Sequence, residues 1–136
     1  VDADLAWSHA RFTDDDPAGR MIPGAAGTIV SAGFTVAPAS RAFGSVRLRY
    51  FGPRPLIEDN SVRSDATSLV NAQAGWRLTS RVALVLDAFN VLNAAASDID
   101  YFYTSRLPGE PLEGMDDIHT HPTLPRTLRG SVRVRF

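Results

Sequence analysis

The feature that most constrains this chain is a period of two in its apolar residues. From Leu128 to Phe136 every second residue is apolar or glycine, and arginine or serine fills the positions between them. Successive side chains of a β-strand point to opposite faces, so this alternation predicts a strand with one apolar and one strongly polar face. No segment has the i, i+3, i+4, i+7 spacing of an amphipathic helix, and the alanine-rich stretch 88–97 offers a turn or two at most.

The same alternation recurs along the chain and predicts about six strands. Thr79 and Ser80 alone separate the fourth strand from the fifth, which is the spacing of a tight hairpin. In the first segment the alternation fails at His9 and Arg11. The predicted strands cover residues 1–12, 28–36, 42–51, 69–78, 81–91 and 127–136.

The connections between these strands alternate between short and long. The short ones are 37–40 and 79–80, and the long ones are 13–24, 52–65 and 92–125. Aspartates and prolines concentrate in the long connections, which we predict to be loops throughout. Short turns at one end and long loops at the other are typical of outer-membrane barrels. We therefore expect an all-β, antiparallel up-and-down meander of about six strands that belongs to a larger transmembrane β-barrel. The alternative is a soluble β-sandwich binding module, of the carbohydrate or adhesion type, that uses the loops at one end.

Composition excludes several kinds of chemistry. The chain has 14 basic and 15 acidic residues, every basic residue is arginine, and cysteine is absent. Lysine-dependent Schiff bases, thiolate nucleophiles and disulfides are therefore excluded. The net charge of −1 provides no field for nonspecific nucleic-acid binding. No G-x-S-x-G or phosphate-loop motif is present, so we expect no enzymatic activity and no cofactor. The mean hydropathy of −0.09 agrees with a barrel, whose lipid-facing and lumen-facing residues alternate.

Four segments together resemble a known family. RTLRGSVRVRF (126–136) resembles the C-terminal strand of bacterial outer-membrane proteins. LVNAQAGWRLTSRVALVLDAFNVLNA (69–94) has a tight turn followed by a strand that ends in D-x-x-N-V-L-N. YFYTSRLPGEP (101–111) and DDIHTHPTLPRT (116–127) are similar to the final extracellular loop of many members. The chain thus resembles the C-terminal part of the β-barrel of a TonB-dependent outer-membrane receptor.

This resemblance implies a place in the bacterial outer membrane and a role in transport. Members enclose a plug domain in a barrel of about 22 strands and take up a scarce ligand, often an iron–siderophore complex. The implied partners are the protein's own plug and upstream strands, outer-membrane lipid and the energy-transducing TonB complex, with no nucleic acid. The chain begins at Val1 without an initiator methionine, so we expect 1–136 to be a single C-terminal segment, a fragment that lacks the plug. In the family the last strand, here with Val132, Val134 and Phe136, is read as an assembly signal.

Charged residues fall on the polar faces of the predicted strands. If those faces line a lumen, they form a basic wall that pairs with acidic plug residues or steers an anionic ligand; the alternative is a solvated sheet face. We expect Asp87 to pair with a neighbouring arginine such as Arg77, and Asn90 to cap the strand end. The predicted lumen-facing or plug-facing residues are Arg47, Arg49, Arg77, Asp87, Arg129 and Arg133.

The longest connection holds the candidate ligand-binding residues. Tyr101 and Tyr103, which flank Phe102, could stack on a planar ligand or pack the loop. His119 and His121 alternate and would project to one side of an extended segment, with Asp117 nearby. Two histidines without a third ligand do not define a metal site, so we predict none, and a polar loop with internal hydrogen bonds is the alternative.

Energy decides which face of the last strand meets lipid. Arg133 or Arg135 in hydrocarbon costs about 2–4 kcal/mol near the midplane, so we expect both to face the interior and Val132 to face lipid with Val134 and Phe136. Aromatic rings at the ends of the strands would form the girdles at the membrane interfaces. The candidates are Trp7, Tyr50, Trp76 and Phe136.

Overall fold

The computed structural model describes residues 1–14, 16–37 and 40–136, and in that part it is all-β and antiparallel. Within those ranges, no helix is long and apolar enough to cross a membrane. Six strands form one sheet in the order β1-β2-β3-β4-β5-β8, and β6 pairs with β7 alone. The predicted all-β meander is thereby confirmed. The strands are β1 Asp2–Trp7, β2 Thr28–Val36, β3 Ala42–Phe51, β4 Thr67–Arg77, β5 Val82–Phe89, β6 Ser97–Ser105, β7 Met115–Pro122 and β8 Thr127–Val134.

The strand bounds follow the alternation closely. β2 and β3 have the predicted limits, whereas β1 ends at Trp7 because the alternation breaks at His9 and Arg11. The turn predicted at 37–40 includes Pro38 and Ala39, which lie outside the described residues, as does Asp15 of the first long connection.

The six-stranded sheet has one polar and one apolar face. Directly paired residues share a face, so each ladder can be read across the sheet. One ladder runs from Gly33 through Arg47 to Asn71, and the adjacent one from Phe34 through Val46 to Ala72. Every charged residue of the six strands lies on the same side of the sheet as Arg47, and this side is here called the polar face. These residues are Asp2, Asp4, Arg47, Arg49, Arg77, Asp87, Arg129 and Arg133.

The apolar face of this sheet is open. Trp7 is 76% exposed and Leu128 is 65% exposed, although both belong to an apolar ladder. Apart from Pro55, the only apolar side chains that are buried among the described residues are those of Leu56 and Val85. The accessible surface is 9673 Å², against about 6,900 Å² for a compact protein of this mass. The fold is therefore a single layer without a hydrophobic core of its own.

The prediction that residues 92–125 are loop throughout is wrong. β6 and β7 form an antiparallel hairpin inside this connection, with an irregularity in register between Ser97 and Ile99. In β6, residues Ile99, Tyr101 and Tyr103 alternate with Asp100, Phe102 and Thr104. Phe102 breaks the polar side of this alternation, and the prolines and acids around it favour a loop. The hairpin extends beyond the end of β5 and β8 and forms a separate two-stranded sheet.

The three long connections meet at one end of the six-stranded sheet and form a layer there, here called the loop layer (8–27, 52–66 and 90–126). The Met21 amide donates to the Glu58 carbonyl at 2.9 Å, and the Gly24 amide donates to the Pro55 carbonyl at 2.8 Å. Gly19 has a φ of 120° and lies so close to the 52–66 connection that a Cβ would sit 2.3 Å from the Glu58 oxygen. Only glycine fits there. The 79–80 turn, the end of β2, the start of β3 and both chain ends lie at the opposite end, here called the short-turn end.

Candidate functional site

The β6–β7 hairpin gathers the candidate ligand residues on one face, here called the aromatic face. Tyr101 pairs with His119, Tyr103 with Asp117, and Ile99 with His121. Side chains of directly paired residues point to the same side of a hairpin. The five residues singled out from the sequence therefore lie together, although the strands that join them were not predicted. Their proposed contact with ligand stays a prediction.

Two of the aromatic rings on this face contact each other by stacking. Tyr103 and His119 stack with ring centroids 3.9 Å apart and an interplanar angle of 14°. The Nε2 atom of His119 is buried and has no hydrogen-bond partner among the described residues. Tyr101 and Tyr103 remain 58% and 52% exposed, so a planar group can reach both. His121 Nδ1 lies 4.0 Å from the Asp98 carboxylate. Within the described ranges, no three metal-ligating side chains are placed to hold one ion.

The opposite face of the hairpin borders a groove of about 560 Å³. Asp100, Ile118 and Thr120 contribute from the hairpin, and Asp65 and Thr67 contribute from the start of β4. A volume of this size suits a small ligand. None of these groove residues was a candidate from the sequence. Asp100 and Tyr101 lie on different faces of β6, and this is evident only once β6 is recognised as a strand.

A buried ion pair fastens the hairpin to the 52–66 connection. Arg54 Nη2 lies 3.0 Å from Asp100 Oδ2, and the two side chains are only 16% and 3% exposed. A second guanidinium nitrogen of Arg54 donates to the Asp98 carbonyl at 3.4 Å, and the Thr67 hydroxyl donates to the Ser97 carbonyl at 2.9 Å. The position of the aromatic face thus depends on Arg54 and Asp100.

The tip of the 52–66 connection is held by its own polar groups. The Ser61 amide donates to Asp59 Oδ1 at 2.9 Å, and this bond lowers the pKa of the Asp59 carboxyl below its usual value. Arg63 donates to the Asn60 side chain and, at 2.8 Å, to the Pro53 carbonyl. These bonds stabilise the conformation of the 52–66 connection.

Two asparagines explain the D-x-x-N-V-L-N segment. Asn90 and Asn93 have φ values of 48° and 52°, a left-handed conformation that asparagine tolerates better than most residues. The buried Asn90 carboxamide donates to the carbonyls of Ala94 and Leu124, and Asn93 Oδ1 accepts from the Arg126 amide. The segment therefore clamps the two ends of the 90–126 connection together. Asn90 ends β5, as predicted, and its role is structural.

On the polar face, Asp87 does pair with a neighbouring arginine, as predicted, but the partner is Arg129 and not Arg77. Arg129 donates through Nε and Nη2 to Asp87 Oδ2 at 3.2 and 3.0 Å, and Gln73 donates to Oδ1 at 2.7 Å. The β-ladder explains the choice, because Asp87 lies directly opposite Gln73 and Arg129. Arg77 lies opposite Ala83 and instead donates to the Ser40 carbonyl at 2.8 Å.

The other residues predicted to face a lumen also lie on the polar face. Arg47 pairs with Asp2 at 3.2 Å, and both side chains are about half exposed. The guanidinium of Arg49 lies over the Phe51 ring at 5.6 Å, and that of Arg129 lies over Phe89 at 5.0 Å. The arrangement is a basic wall backed by aromatic rings. Whether it faces a lumen or a plug stays a prediction.

The predicted lipid-facing residues lie on the apolar face. Val132 pairs with Leu84, and Val134 pairs with Val82. Phe136 follows the end of β8 and is fully exposed. The girdle candidates lie near the two ends of the apolar face, with Trp7 and Tyr50 beside the loop layer and Trp76 beside the short-turn end.

Comparison of the chain with protein-family models, with curated proteins and with solved structures finds no match. The functional interpretation therefore depends on the geometry and on the sequence resemblance described above.

Proposed function

We propose that the chain forms part of the wall of a bacterial outer-membrane β-barrel, as the C-terminal part of a TonB-dependent receptor. Such a receptor takes up a scarce small ligand, for example an iron–siderophore complex. In this proposal the apolar face meets lipid, the polar face meets the receptor's own plug, and the loop layer faces the outside. The plug and the TonB complex are then partners that this segment does not contain.

The separation of charge between the two faces of the sheet carries the proposal. All charged residues of the six strands share the polar face, and the other face is apolar and uncovered. In water an open apolar face of this size is unfavourable, at about 25 cal/mol per Å². In hydrocarbon the same face is stable, provided that both sheet edges are paired with further strands.

The sorting of connections and aromatic residues supports the same arrangement. Long connections occupy one end of the sheet and short turns the other, as in barrels whose loops face outward. Trp7 and Trp76 lie toward opposite ends of the apolar face, where they would reach the two headgroup regions. The sandwich alternative has less support, because the two-stranded β6–β7 sheet does not cover either face of the six-stranded sheet.

Brominated lipids test the facing directly. Trp7→Phe and Trp76→Phe first remove both native tryptophans. A single tryptophan is then introduced, either by Val46→Trp on the apolar face or by Ser45→Trp on the polar face. Its fluorescence is measured in the protein reconstituted into bilayers with brominated acyl chains. These neighbours are at nearly the same depth but on opposite faces. We expect bromine to quench Val46→Trp several-fold more strongly than Ser45→Trp. Equal quenching, or a protein that stays in the aqueous phase, would refute the barrel.

The loop layer supports the uptake part of the proposal. The aromatic face and the groove lie on the two sides of one hairpin, and the Arg54–Asp100 pair holds that hairpin in place. A ligand that arrives from outside meets these surfaces before it meets the sheet. The stacked rings of Tyr103 and His119 suit a planar ligand group.

Substitutions on the hairpin test ligand capture. We expect Tyr103→Ala and His119→Ala each to weaken binding of a ferric catecholate or hydroxamate complex about three- to tenfold, measured by fluorescence quenching in the reconstituted receptor. Thr104→Ala is the control, since Thr104 lies on the other face of the same strand. If no ferric complex binds, or if Thr104→Ala has the same effect, the ligand assignment fails while the barrel test remains independent.

A further inference from the structure

Four arginines surround a small pocket at the short-turn end of the polar face. Ala83 lies opposite Arg77 on one side and Arg133 on the other, so the two arginines flank it on the same face, with their Cα atoms about 10 Å apart. Arg81 precedes β5, and Arg135, whose amide donates to the Arg81 carbonyl at 2.9 Å, follows β8. The pocket has a volume of about 120 Å³.

Three of the four arginines form no close contact with a described carboxylate, and the nearest one, Asp87, interacts with Arg133 only through its charge. The side chains of Arg81, Arg133 and Arg135 make no hydrogen bond or ion pair with any described residue. The one carboxylate of β5, that of Asp87, lies four residues beyond Ala83 and is held by Arg129 and Gln73. Like charges that converge on one site are destabilising unless an anion joins them.

One wall of the pocket is preorganised. A Cβ on Gly75 would sit 2.1 Å from the Phe43 ring, so glycine is what lets this ring lie flat across β4. The Arg77 guanidinium lies over the same ring at 4.9 Å and donates to the Ser40 carbonyl. Its position is thereby fixed before any ligand arrives, while the hydroxyl residues Thr79 and Ser80 line the turn beside it.

We propose that this pocket binds an oxyanion of the phosphate class. A carboxylate brings one negative charge to four guanidinium groups, whereas a phosphate monoester brings nearly two and presents three oxygens to their planar N–H forks. The volume accommodates one such group and little more, given that a water molecule occupies about 30 Å³ of liquid. The proposal depends only on the geometry of β4, β5 and β8, and so it stands apart from the proposed transport function.

Titration of the purified, folded protein with inorganic phosphate tests the site, in detergent where the protein requires it. We expect saturable binding, and at least about tenfold weaker binding of acetate, since acetate forms fewer charge-assisted bonds. The variant Arg133→Gln/Arg135→Gln should weaken phosphate binding at least about tenfold. The matched control Arg106→Gln/Arg126→Gln removes the same charge from the loop layer and should leave binding unchanged.

A steric variant separates a built site from general attraction to positive charge. Ala83→Leu fills the floor of the pocket and keeps every arginine, so phosphate binding should be lost while the circular dichroism spectrum is retained. If phosphate binds Ala83→Leu as well as the parent protein, or binds no more tightly than acetate, the proposed site is wrong. To identify the source of the phosphate group, binding of vesicles that contain phosphatidylglycerol is compared with binding of a soluble phosphate monoester. Binding of neither would also overturn the proposal.

Discussion

The substitution Ala32→Arg is expected to destabilise the protein in a bilayer by about 2–4 kcal/mol. Ala32 lies in the middle of β2 and belongs to the apolar face, where it pairs with Ala3 and Leu48. A guanidinium there would sit near the hydrocarbon midplane, without water or a carboxylate to pair with it. Urea unfolding from lipid vesicles, followed by the shift of the folded band on an unheated gel, measures the loss.

The adjacent residue provides the control. Ser31→Arg introduces the same arginine side chain one position earlier in β2. Ser31, however, lies on the polar face between Asp4 and Arg49. The new arginine can pair with the Asp4 carboxylate, so we expect less than about 1 kcal/mol of change. An equal loss for the two variants would mean that both faces meet the same solvent, and the proposed membrane location would be wrong.

Two substitutions in β8 test the difference between the apolar and polar faces independently. Val132→Arg should impair assembly, whereas Arg133→Gln should leave it largely intact, because Val132 lies on the apolar ladder and Arg133 on the polar one. A larger defect in Arg133→Gln would contradict the assigned faces.

The six strands of the main sheet were predictable because one face is apolar along its whole length. A period of two survives in the sequence wherever a strand has two chemically different sides. β6 was missed for a related reason: Phe102 interrupts the polar side of its alternation, while Pro108 and Pro111 follow closely. Neither face of the hairpin is uniformly apolar, so its period of two is a weaker signal than the surrounding prolines and acidic residues, which favour a loop.

Pairing across the sheet could not be predicted from spacing along the chain. Arg77 is nearer to Asp87 in sequence than Arg129 is, yet the β5–β8 register places Arg129 directly opposite. That register depends on the Asn90 and Asn93 clamp, which returns the chain beside β5 after the hairpin. The separate β6–β7 register likewise brings Tyr103 against His119, which the sequence separates by a turn rich in glycine and proline.

Loss of the Asp100 carboxylate is expected to release the hairpin from the 52–66 connection. Asp100→Ala leaves the Arg54 guanidinium largely buried without its counter-charge, which costs about 3–5 kcal/mol for a buried pair. Because the main sheet makes separate contacts, the effect should be confined to the hairpin and the adjacent 52–66 connection. We expect faster amide exchange in β6 and β7 and protease cleavage between residues 106 and 114, with β2 to β5 still protected.

Two further variants show whether the cause is the unpaired charge. Asp2→Ala breaks the half-exposed pair with Arg47 and should cost less than about 1 kcal/mol, since water screens that pair. Arg54→Met/Asp100→Leu removes both buried charges and should restore protection of the hairpin, because an apolar pair of similar size avoids the desolvation of two ions. If the double variant exchanges as fast as Asp100→Ala, the faster exchange comes from loss of the Arg54–Asp100 contact itself and not from a buried charge left without a partner.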